Sequence, residues 1–105
     1  MKRIACISLL AALALPAIST GATRTVGVED DFFSSSSLSV SKGTTVKWVW
    51  RGSDKHNVVV KTGPAKFQSP LQKKGSYKHK FKQKGTYSLL CSVHAPDMAM
   101  SVVVR

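Results

Sequence analysis

From Thr23 onward, apolar side chains recur at every second residue in short runs, and no stretch of helical length repeats at a helical period. Val46, Trp48 and Trp50 alternate with Lys47, Val49 and Arg51, Tyr77, His79 and Phe81 with Lys78, Lys80 and Lys82, and Leu38 and Val40 with Ser39 and Ser41. A period of two puts one side of each run in a core and the other in water, which is the signature of half-buried strands. Further strands are expected over Thr23–Val28, His56–Val60, Thr86–Cys91 and Ala99–Val104. Between them lie turn signals at Lys42-Gly43, Arg51–Lys55, the loop Thr62–Pro70 and Gly85. The fold class is therefore all-β, a β-sandwich of about seven strands. Alternation on both sides of Lys42-Gly43 further predicts that the strands bearing Val40 and Val46 pair with each other.

Residues 1–22 read differently. Lys2-Arg3 precedes an apolar stretch from Ile4 to Ile18, broken by Ser8 and Pro16 and followed by small residues up to Ala22. This order predicts a signal peptide cleaved after Ala22, leaving one domain over residues 23–105. The stretch is too short and interrupted for a membrane span of about 20 residues. Cys6 precedes most of the apolar region, the wrong place for a lipid anchor. Export to a periplasm or the extracellular space is expected. The exported chain keeps one cysteine, Cys91, so it has no internal disulfide. A lone cysteine there implies a reactive thiol, an intermolecular bridge or a metal ligand.

Residues 23–105 retain 14 of the 16 basic residues and all five acidic ones, a balance of +9. The resulting field favours encounter with an acidic redox partner, an anionic membrane surface or a wall polyanion. Export argues against nucleic acid as the partner. Lysines between Lys73 and Lys84 serve either to keep an edge strand solvated or to dock an acidic partner. A monomer is expected.

The chemistry concentrates in Cys91-Ser92-Val93-His94-Ala95-Pro96-Asp97-Met98, with His56 upstream. A thiolate, two imidazoles and a weak axial thioether are the donors of a type 1 (blue) copper centre. Cys91 as a core thiol is the plainer alternative. Cys91 and His94 as nucleophile and base lack an orienting third group, so no enzyme is expected. His79, between two aromatic residues, reads as a sheet residue rather than a ligand.

These segments resemble the cupredoxins, in particular the plastocyanin, amicyanin and pseudoazurin branch. The similarity runs through Leu38-x-Val40-x-x-Gly43-x-x-Val46-x-Trp48, His56-Asn57-Val58, Phe67-x-Ser69, and Gly85-Thr86-Tyr87-x-x-x-Cys91-x-x-His94. The resemblance implies a Greek-key sandwich with one copper ion, held by His56, Cys91 and His94 and by an axial methionine. It also implies that Asn57 bonds across to Ser92, and that electrons leave through the edge of His94, flanked by Ala95 and Pro96. Family members commonly leave a gap of two or four residues between that histidine and the methionine; here the gap to Met98 is three and to Met100 five. Counting back from the last strand favours Met98, with Met100 in the core. Trp50 stands where an Asn is frequent, and Lys55 where a small residue or Pro is usual; both departures bear on tuning. The implied function is one-electron transfer by Cu(II)/Cu(I) cycling, the alternative being copper binding and delivery with incidental redox activity.

Overall fold

The computed structural model describes residues 21–105; most of the expected signal peptide, Cys6 included, lies outside the described residues. Eight strands form: β1 (Thr23–Glu29), β2 (Phe32–Phe33), β3 (Ser37–Val40), β4 (Thr45–Trp50), β5 (Val59–Thr62), β6 (Ser76–Lys80), β7 (Gly85–Leu90) and β8 (Ala99–Val104). They build two four-stranded sheets, ordered β2-β1-β4-β6 and β3-β8-β7-β5. The all-β sandwich is as expected. The extra strand is β2, a two-residue return of the β1 hairpin too short to carry an alternating pattern.

One expectation fails. β3 and β4 do not pair, although Ser41–Thr44 does turn, with Thr44 N–H donating to Ser41 O at 3.1 Å. Instead, Lys42 N–H donates to Arg105 O, beyond β8, and Gly43 N–H to Phe81 O, beyond β6. The turn thus carries the chain from one sheet to the other. β3 pairs in parallel with β8, and β4 in parallel with β1. Gly43 has a φ of 94°, a backbone region open mainly to glycine.

Alternation does fix which side of each strand is buried. Val46, Trp48 and Trp50 of β4 face inward with Val26 and Val28 of β1. Tyr87, Leu89, Met100, Val102 and Val104 face them from the second sheet. Trp48 is fully buried and within 6.2–6.4 Å, ring centre to ring centre, of Phe67, Tyr77 and Phe81. Truncating such a residue to alanine costs about 3–5 kcal/mol. His79 is half-buried and stacks on Phe67 at 3.7 Å, so it is a sheet residue as the pattern indicates.

The stretch expected as a strand from His56 is ladder only from Val59. Trp50 Nε1–H donates to His56 O at 3.1 Å, and Val58 N–H donates to Ser69 Oγ at 2.9 Å. His56 makes only an isolated bridge with Gln72. These bonds take the segment out of the sheet and leave His56 and Asn57 in a braced loop at the sandwich end.

Candidate metal centre

Three loops meet at that end: the β1–β2 turn, the β4–β5 loop and the β7–β8 loop. His56 comes from the second; Cys91, His94 and Met98 come from the third. Cys91 Sγ lies 3.8 Å from His56 Nδ1 and 3.6 Å from His94 Nδ1, and the three donor atoms fall within 4.8 Å of one another. Bonds of about 2.0 Å to imidazole and 2.3 Å to thiolate, opened to trigonal angles, separate such donors by about 3.7 Å. The donor set therefore fits a single copper ion in both chemistry and spacing.

Burial grades across the site. His56, Cys91 and Met98 are fully buried, whereas the His94 side chain is 29% exposed. Around His94, Val93, Ala95 and Pro96 are exposed and apolar. The loop is held from within: His94 N–H donates to Cys91 O at 3.2 Å, Met98 N–H to His94 O at 3.1 Å, and Cys91 N–H to Met98 O at 3.0 Å. The last bond extends the β7–β8 ladder by one pair beyond Leu90 and Ala99, so Met98 stands opposite Cys91. Met100 stands opposite Leu89, two pairs deeper, in the core.

Asn57 links the two histidine-bearing loops. Its Nδ2–H donates to Ser92 Oγ at 2.9 Å, and its Oδ1 accepts from Ser92 N–H at 2.8 Å. Such a brace holds ligand-bearing segments in register.

Two groups at the site escape sequence reasoning: Asp30 Oδ1 is 3.0 Å from His56 Nε2, and Asp31 Oδ1 is 2.9 Å from His94 Nε2. Asp30 also accepts from Ser53 N–H, Ser53 Oγ–H and Asp54 N–H. Hydrogen bonds from the Asp54 backbone, then from His56 and from Ser53, hold its carboxyl well below the usual carboxylate range. A Cβ at Gly52 would run into the Asp30 carboxylate and come within 2.8 Å of its backbone nitrogen, so this contact needs a glycine. In the sequence, Glu29-Asp30-Asp31 looks like an ordinary acidic turn. Only the tightness of the hairpin, with Glu29 and Phe32 already paired, aims consecutive carboxylates at different rings. Trp50 is the other surprise, since its indole fixes the backbone of His56.

Known proteins agree with this geometry. Residues 22–105 match the copper binding proteins of the plastocyanin/azurin family. Among solved structures, the oxidised form of a methionine-to-leucine variant of amicyanin is 31% identical, covering 78% of this chain and 81% of that one at a TM-score of 0.70. A Cu(I) form of a methionine-to-alanine variant of amicyanin is 32% identical over 79% and 82%, also at 0.70. A reduced tryptophan-to-tyrosine variant of amicyanin is 31% identical over 85% and 87%, at 0.70. Comparison with curated proteins returns no match. Family match, sandwich topology and donor set converge, and the chain belongs to the plastocyanin/azurin family of copper-binding proteins, the cupredoxins.

Proposed function

We propose that His56, Cys91, His94 and Met98 hold one copper ion and that the protein is an exported one-electron carrier. The observation that carries this is the convergence of Cys91 Sγ with His56 Nδ1 and His94 Nδ1 at 3.8 and 3.6 Å in a buried pocket. Copper bound there supplies a couple between Cu(II) and Cu(I). The chain's part is to fix its donors in advance. The Asn57–Ser92 bonds and the ladder bond from Cys91 to Met98 keep the donors in place, so little reorganisation accompanies a change of charge. Full burial of Cys91 and Met98 excludes water from the sulfur side.

Electrons leave through His94, the one proposed ligand with an exposed side chain, at the apolar surface formed by Val93, Ala95 and Pro96. Redox partners carry an acidic docking surface. Lys47 and Lys78 stand directly opposite each other on the outer face of β4 and β6, with Lys80 beside them, and Lys73 and Lys74 extend the charge towards the His56–Gln72 bridge. All five acidic residues lie instead in or beside the three loops of the site. Export rests on the residues before Thr23, where the first strand begins.

The test is to load metal-free protein with Cu(II) and record visible and EPR spectra and a voltammogram. An intense thiolate-to-Cu(II) charge-transfer band and a fast, reversible one-electron couple are expected. A colourless product overturns the copper site, and a slow couple with rapid loss of Cu(I) to a competing metal-free protein overturns the carrier reading in favour of copper delivery.

A further inference from the structure

The β1–β2 turn consists of two residues, Asp30 and Asp31, and its carboxylates reach two different imidazoles. Both contacts fall on Nε2, while Nδ1 of each ring faces Cys91 Sγ. An ionised carboxylate only accepts hydrogen bonds, so Nε2 carries the proton in each neutral ring. Nδ1 then keeps its lone pair on the side of the thiol.

Asp30 has other work, since it also caps the turn at Ser53 and Asp54. Asp31 has none. Its side chain is 62% exposed, and among the described residues it makes no hydrogen bond; its close polar contact is with His94 Nε2, 2.9 Å from Oδ1. Its φ of 76° lies in a backbone region that glycine occupies more readily. Aspartate tolerates that region at a hairpin turn, and the turn leaves its carboxylate free to serve the ring it touches.

Resting on the copper reading above, we infer that Asp31 is a positioning residue that, with Asp30, clamps both ligand imidazoles and favours Cu(II) over Cu(I). A carboxylate accepting from Nε2–H makes Nδ1 a more basic donor and adds negative charge near the metal. The more highly charged Cu(II) gains more from both effects than Cu(I) does. Water and salt screen the exposed Asp31, so its share is at the lower end of such effects.

The test compares wild type with Asp31→Asn and with the conservative Asp31→Glu. Because Asp54 also brings a carboxylate oxygen within 4.8 Å of both Asp31 and the His94 ring, the double variant Asp31→Asn/Asp54→Asn removes this second acceptor as well. Cu(II) and Cu(I) affinities are measured by chelator competition, and potentials by voltammetry. Loss of such a partner costs about 10-fold or more in metal affinity. Asparagine variants should lose about tenfold in Cu(II) affinity with Cu(I) affinity nearly unchanged, a rise in potential of about 59 mV per tenfold change in the ratio. Asp31→Glu should restore most of it. In metal-free protein near pH ~8, nitrogen NMR of the His94 ring should change from one Nε2–H tautomer to a mixture of tautomers in the asparagine variants. An unchanged affinity ratio, or a single unchanged tautomer, in the double variant overturns the clamp. Failure of the copper reading is distinct: the wild type itself then shows no charge-transfer band, while the metal-free NMR comparison still decides whether Asp31 sets the ring.

Discussion

Met98 faces Cys91 directly across the end of the β7–β8 ladder, with Cys91 N–H donating to Met98 O at 3.0 Å. Side chains paired across an antiparallel ladder share a face, with Cβ atoms about 4.5–5.5 Å apart. Met100 shares that face but stands opposite Leu89, two residues further from the mouth. The two methionines, which compete in the sequence, are therefore two ladder pairs apart, with Leu90 and Ala99 paired between them.

Met98→Gln should shift the charge-transfer band and EPR parameters of the Cu(II) protein, because an amide replaces the thioether beside the thiolate. Met100→Gln should leave both spectra unchanged. It should instead lower stability by about 2 kcal/mol by burying an unpaired amide, read as a fall in the urea midpoint. Spectra that respond to Met100→Gln and not to Met98→Gln would reverse the assignment.

Asn57→Ala removes every bond between Asn57 and Ser92 that braces the two loops, whereas Ser92→Ala removes only those of the hydroxyl. The Ser92 N–H bond to Asn57 Oδ1, 2.8 Å long, survives in Ser92→Ala. Asn57→Ala should cost about 2 kcal/mol in metal-free protein and hasten copper release, and Ser92→Ala less than half of that. Chemical unfolding and stopped-flow chelation with both variants check the order.

His79 gives a pH dependence away from the metal. Burial, and then the charge of Lys82, lower its pKa below the ordinary 6.5. The folded state thus binds a proton less readily than the unfolded chain. Its stabilising contribution is complete above pH 6.5, falls as pH drops through that value, and levels off below the folded pKa. In metal-free protein, the urea midpoint of wild type should fall more between about pH 7.5 and 5 than that of His79→Phe. Parallel profiles would remove His79 as the cause.

Lys78→Glu turns the directly opposed Lys47–Lys78 pair into an opposite-charge pair. Relief of like-charge repulsion should stabilise the protein by about 0.5 kcal/mol. The same change should slow association with an acidic redox partner and flatten its salt dependence. Thermal unfolding and stopped-flow electron transfer at several ionic strengths separate the two effects. A variant that is stabilised yet transfers electrons unchanged would show that the lysines of this face serve solubility rather than docking.

Much of this was legible because strand alternation is local. Val46, Trp48 and Trp50 declare their buried side within five residues, and Cys91, His94 and Met98 lie close enough in the chain for their shared loop to be foreseen. Tertiary structure alone decided which strands adjoin. A glycine turn such as Lys42-Gly43 reads alike whether it closes a hairpin or carries the chain between sheets, and the outcome rests on Arg105 O and Phe81 O, far away in sequence. It also decided the outer layer of the site. Asp30, Asp31 and Trp50 meet His56 and His94 through polar contacts between loops, and no spacing rule encodes contacts that exist only once both sheets have packed.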